Sequence, residues 1–205
     1  MSSLFCLLRS QFTDEPTKAV HENLPQATLV YDRFHVIKLY NEKLSNLRRA
    51  LYNETQNADI KALLKGTRWL LLKNEENLND EIGERERLEK ALQANRPLMT
   101  AYYLKEELHR IWEQNDIHGG KEVFEKWLLA AESSGVKMLS KFAQTLKQHQ
   151  KGILNYYEHR ITTGALEGTN AKIRVMQRKA YGYRDEEYLK LKIYALHETK
   201  TKNIA

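Results

Sequence analysis

Asp32 closes the run Ala27-Thr-Leu-Val-Tyr-Asp32 and is followed at once by Arg33-Phe34-His35, where a strand-like pattern gives way to a helical one. An acid at a strand-to-helix junction stands on the edge where open sheets usually bind their ligands. The same position suits an ordinary helix cap, in which the carboxylate accepts from free amides of the first turn. Position alone does not separate the two readings. His35, one turn on, is more often a packed or solvent-bonded histidine than a ligand.

Glu167 lies in Thr163-Gly-Ala-Leu-Glu-Gly-Thr-Asn-Ala-Lys-Ile-Arg174, near the start of a predicted helix. Residues 167, 170, 174 and 178 are three and four apart, so Glu167, Asn170, Arg174 and Arg178 share a polar face, with Leu166, Ile173 and Met176 opposite. The helix dipole by itself favours an acid in the first turn, and an acid in line with arginines also describes a salt-bridged surface. Downstream, Lys172, Arg174, Arg178, Lys179 and Arg184 are interleaved with Tyr181 and Tyr183. Cations that pair phosphates beside aromatic faces that stack on bases or sugars make this a nucleic-acid candidate. A solvated helix edge with two core tyrosines is the competing reading. No phosphate-cradling Gly-Lys-Ser loop, zinc-binding His pair or serine or cysteine nucleophile motif is present.

These residues need elements to hold them. Residues 16–24 read as a short helix with Pro16 in its first turn and Pro25 ending it. Residues 27–32, β-branched and aromatic, form the one convincing strand, which requires partners that the downstream sequence does not offer. From Phe34 the period is helical, with Ile37, Tyr40, Leu44, Leu47 and Leu51 on one stripe. Helices are predicted over about 59–72, 80–93 after an Asn79 cap, 98–113 after Pro97, 121–134 and 136–157, then 165–178 and 185–198. Trp69, Trp112 and Trp127 read as core. One strand leading into so many helices implies a sheet that begins upstream of residue 1.

Composition limits the function classes. The 205 residues are 41% hydrophobic and 29% charged with three prolines, the profile of a helix-biased globular protein. The single cysteine, Cys6, rules out an internal disulfide framework and a Cys-rich zinc site, and fits a reducing cytoplasm. Leu4–Leu8 is too short for a signal peptide or a membrane span. Residues 137–205 hold 14 Lys and Arg against 6 Asp and Glu, whereas the remainder holds 19 against 21. A net +8 in the last third of a +6 chain points that third at a polyanion.

Three blocks, Asp32-Arg-Phe-His-Val-Ile-Lys-Leu39, Leu64-Lys-Gly-Thr-Arg-Trp-Leu-Leu-Leu-Lys-Asn74 and Gly164-Ala-Leu-Glu-Gly-Thr-Asn-Ala-Lys-Ile-Arg174, with Ala180-Tyr-Gly-Tyr-Arg184, closely resemble the ISL group of bacterial insertion-sequence transposases. The resemblance runs in order from about Pro16 to Leu196. It implies a DDE enzyme with an RNase H-like catalytic domain, in which Asp32 matches the second catalytic acid and Glu167 the third. Asp32 and Glu167 would hold Mg²⁺ or Mn²⁺, two ions about 4 Å apart, for DNA strand cleavage and strand transfer at element ends. Arg33, His35 and Asn170 would support that site, and Lys172, Arg174, Arg178, Lys179 and Arg184 would hold the DNA backbone.

The expected fold is mainly α with a small β element, a partial RNase H-like core interrupted by a long all-helical insertion. Its expected divisions are a non-family leader (1–15), core helix, strand and helix (16–52), helical insertion (53–157) and carboxy-terminal core helices (158–205). The family's first acid and amino-terminal DNA-binding region precede the region matched, and neither Asp14 nor Glu15, just before a predicted helix, is promoted to the missing place. The chain is thus expected to be a carboxy-terminal portion, inactive alone, cytoplasmic and nucleoid-associated. Its expected partners are insertion-sequence ends and itself or a full-length transposase, with no membrane and no small-molecule substrate. Two non-enzymatic readings compete: a DNA-binding or oligomerising module that modulates a full-length transposase, and a helical interaction protein without a nucleic-acid role.

Overall fold

A computed structural model describes residues 5–8, 22–160 and 164–198, with side chains described over 22–160 and 168–196. The predicted helix at 16–24 falls largely outside the described residues, as do Asp14 and Glu15. The chain divides into two compact units, Met1–Ile161 and Thr162–Ala205.

The first unit opens with two strands, β1 (Phe5–Leu8) and β2 (Thr28–Tyr31), paired in parallel with Phe5 opposite Thr28 and Leu8 opposite Tyr31. β2 is the strand expected from sequence. Its partner β1 lies within the stretch read as a leader. A four-residue apolar run carries no period to read.

Eight helices of the first unit follow: α1 (Arg33–Glu54), α2 (Ala58–Gly66), α3 (Glu84–Gln93), α4 (Arg96–His109), α5 (Ile117–Ser133), α6 (Lys137–Gln148), α7 (Gln150–Leu154) and α8 (Tyr156–His159). The fold is therefore mostly helical, as expected. The stripe of α1 turns inward around Val36, Tyr40 and Leu44 and packs against α2, α4 and α6. At the centre Tyr40 donates its hydroxyl to Ala101 O at 2.6 Å and meets Trp127 and Phe142 edge to face, with ring centroids 6.1 and 5.1 Å away. Trp127 donates its indole N–H to Leu104 O at 2.7 Å, so its one polar atom is satisfied inside the core.

Two boundaries differ from the sequence reading. The helix predicted to run to 72 stops at Gly66, and Leu70–Leu72 form a separate 3-10 turn. Trp69 consequently stands outside the core with 66% of its surface exposed, correcting its assignment, while Trp112 and Trp127 are buried as read. The helix expected from Asn79 begins at Glu84, because Gly83 takes a left-handed φ of 66° and turns the chain there. Asn79 caps the preceding turn instead, accepting from Glu81 N at 2.9 Å.

Lys105 ties the 3-10 turn to α4. Its ammonium is buried, donates to Leu71 O at 3.0 Å and to Lys73 O, and pairs with Glu106 at 2.7 Å. One turn on, His109 has a buried Nε2 with no hydrogen-bond partner, and burial above all pushes its pKa below the ordinary 6.5. As pH falls through that ordinary value the unfolded chain takes up a proton before the folded chain does, so stability is lost on the acid side. Denaturant midpoints measured from about pH 7 to about pH 5 are expected to fall, and His109→Gln to remove part of that fall.

The second unit consists of α9 (Gly164–Lys179) and α10 (Glu186–Glu198). α9 ends in a Schellman arrangement: Gly182 N donates to Gln177 O at 2.9 Å and Tyr181 N to Arg178 O at 3.1 Å. Tyr181 occupies the left-handed position, φ 53°, that glycine usually fills. Asp185 then caps α10, accepting from Glu187 N and Tyr188 N at 2.9 and 3.0 Å. Among the described residues no helix is long and apolar enough to cross a membrane.

Candidate active site and DNA-facing segment

Asp32 is placed by what clamps the end of β2. The Tyr31 hydroxyl and His149 Nδ1 are 2.8 Å apart, and Asn155 donates to Leu29 O at 2.7 Å. The Tyr31 ring lies over Gly152 so closely that a Cβ there would come within 2.5 Å of it. The segment 149–155, at the far end of the helical block in sequence, thus fixes the last residue of the strand. Asp32 follows it with 1% of its surface exposed.

Of its two sequence readings, the helix cap is realised in the geometry. Oδ1 accepts from Phe34 N at 3.0 Å, the cap of α1. Oδ2 lies 3.6 Å from His35 Nδ1, making His35 a neighbour of the carboxylate. Arg33 places its guanidinium 5.0 Å from the centre of the Phe34 ring and contributes to holding His109 below its ordinary pKa. The start of α1 is therefore in electrostatic reach of α4.

Glu167 lies on α9, and its side chain is outside the described residues. Asn170, Ile173 and Met176 are half-buried. Lys172, Arg174, Arg178, Lys179 and Arg184 are exposed, and none has a carboxylate partner among the described residues. Tyr181 is fully exposed and so not a core tyrosine, whereas Tyr183 is half-buried with its ring 5.9 Å from that of Tyr188. Among the described residues the segment offers cations without a carboxylate partner and one fully exposed aromatic ring. Asp32 and Glu167 belong to separate units and are described separately. Among the described residues no three His, Cys, Asp or Glu side chains gather as a metal site.

Sequence reasoning missed the role of residues 149–155 in holding Asp32. Gly152 was the available signal: a glycine inside a helical pattern marks a close approach of another group.

Comparison with known proteins agrees with the motifs. A model of the ISL3 transposases, described as "Transposase", matches residues 15–193. The transposase for insertion sequence element IS1001 of Bordetella parapertussis is 40% identical over 178 residues, 86% of this chain and 43% of that protein. The transposase for insertion sequence element IS1557 of Mycobacterium tuberculosis H37Rv is 28% identical over 192 residues, 83% of this chain and 43% of that protein. The chain spans less than half the length of these curated relatives. No solved structure matches. On a family match that covers nearly the whole sequence, the chain belongs to the ISL3 family of insertion-sequence transposases.

Proposed function

We propose that this chain supplies two carboxylates, Asp32 and Glu167, and a DNA-holding segment to a DDE-type transposase that cuts and joins DNA at insertion-sequence ends. The observation that carries the reading is Asp32: a buried carboxylate at the end of a strand, beside His35, inside a sequence that matches the transposase family. A carboxylate set is a hard oxygen donor set, which fits Mg²⁺ or Mn²⁺. Ions held there would activate water or a terminal 3′ hydroxyl and stabilise the leaving oxygen. Asp32 and Glu167 would each supply carboxylate oxygen to such ions. Arg33 and His35 would orient Asp32, and Asn170 would stand one turn from Glu167. Lys172, Arg174, Arg178, Lys179 and Arg184 would hold phosphates and so position the DNA without reading its sequence. The core would be RNase H-like, with residues 53–157 as its insertion.

Two acids assemble a weaker metal site than three. The 205-residue chain by itself is expected to bind element ends and leave them uncut in Mg²⁺ or Mn²⁺, as followed by strand cleavage on denaturing gels. Robust cutting that Glu167→Gln abolishes would contradict that expectation. A second reading, a non-catalytic module that binds DNA or oligomerises with a full-length transposase, is favoured by the exposed Val175, Leu191 and Tyr194 of the second unit. Salt-dependent DNA binding with no metal requirement, unchanged when Asp32 and Glu167 are replaced, would support it.

A further inference from the structure

Trp69 is exposed in a place where the fold could have buried it. On one side, Thr67 is buried and donates its hydroxyl to Leu64 O at 3.2 Å; on the other, Leu70 and Leu71 are buried in the 3-10 turn. Between these anchors Arg68 and Trp69 both point outward, so the indole is presented by a fixed turn. The Arg68 guanidinium lies 4.6 Å from the centre of the Trp69 ring and covers one face of it. At 66% exposure the other face is left to solvent.

The surroundings are cationic. Arg48 of α1 donates Nη1 to Leu64 O at 3.0 Å, while its Nε is buried with no hydrogen-bond partner. Burial first, then repulsion from Arg68 and Arg49, pushes the Arg48 pKa down. Among the described residues none of the three arginines has a carboxylate partner. A cluster of like charges with an unused guanidinium donor is relieved by an anion, and guanidinium matches phosphate.

We propose that Trp69 with Arg48, Arg49 and Arg68 forms a second DNA contact, in the helical block, that holds an unpaired nucleotide with its phosphate on the guanidiniums and its base on the indole. The proposal rests on reading this chain as one that acts on DNA. Phosphate alone would need only the arginines. The indole selects single-stranded DNA, because a base offers its face for stacking only when it has left the duplex.

The test uses the full chain with three oligonucleotides of one length: single-stranded, duplex and abasic. Trp112 and Trp127 are buried, so base-dependent quenching of indole fluorescence reports Trp69. The single strand is expected to quench and the abasic strand not. Trp69→Ala should remove the quench and weaken single-strand binding roughly tenfold, about 1.4 kcal/mol, with duplex binding within about twofold. Trp69→Phe should keep most of the binding, and Arg49→Ala with Arg68→Ala should lower the single-strand salt slope by about 1.4. Equal quenching by the abasic strand, or equal loss of single-strand and duplex binding in Trp69→Ala, would overturn the proposal. Duplex binding through residues 172–184 with Trp69 silent would overturn it while sparing the transposase reading; failure to bind any DNA would overturn both.

Discussion

Alanine at Arg174, Arg178, Lys179 and Arg184 together is expected to weaken DNA binding roughly a hundredfold at about 0.1 M salt and to lower the slope of log affinity against log salt by about four. Each cation that neutralises a phosphate releases condensed counterion, and the number released sets the slope. The four side chains are exposed and have no carboxylate partner among the described residues, so removing them leaves no buried charge unpaired. Arg174 and Arg178 are one turn apart on α9, and the Schellman turn that ends the helix carries Tyr181 and Gly182 on towards Arg184. Fluorescence anisotropy across a salt series measures both quantities. An unchanged slope would move the DNA contact elsewhere in the chain.

Tyr40→Ala is expected to cost roughly 3–5 kcal/mol, read as a lower denaturant midpoint at unchanged m value. Tyr40 is completely buried and sits where α1 meets α4, α5 and α6, with its ring against Trp127 and Phe142 and its hydroxyl on Ala101 O. Truncation opens a cavity lined by aromatic rings, which cannot collapse easily. Tyr40→Phe keeps the ring and loses only the hydrogen bond, so about 1 kcal/mol is expected. A small cost for Tyr40→Ala would mean that the helical block does not depend on this junction.

Helix existence was well marked in the sequence, because a stripe such as Ile37, Tyr40, Leu44, Leu47 and Leu51 can be buried in only one way. Helix ends were less legible. The apolar period ran on through Trp69, but the chain leaves the helix at Gly66 and returns Leu70 and Leu71 to the core through a 3-10 turn. Periodicity registers which residues are apolar, and it is blind to a break that preserves their spacing. β1 was invisible for a related reason: four residues have no period, and their role exists only opposite Thr28–Tyr31.

The candidate site divides in the same way. Asp32 stood out because a strand-like pattern switches to a helical one at that residue, a local event. What fixes it, the contact of Tyr31 with His149 and Gly152, joins positions more than a hundred residues apart and left only a glycine as its trace. The choice between cap and ligand was open in the sequence, and the geometry shows that capping occupies one oxygen while the other faces His35.

That division makes Asp32→Asn the informative change. Asparagine caps a helix as well as aspartate does, so the cap of α1 should be kept, whereas the charge that would hold a cation is gone. Mn²⁺ titrated into the chain bound to DNA, and followed by electron paramagnetic resonance, tests the central claim most directly. Weak binding by the native sequence, lost in both Asp32→Asn and Glu167→Gln, is the expected result. Binding of Mn²⁺ by both variants as by the native chain would contradict the assignment of these two carboxylates to a metal-dependent active site.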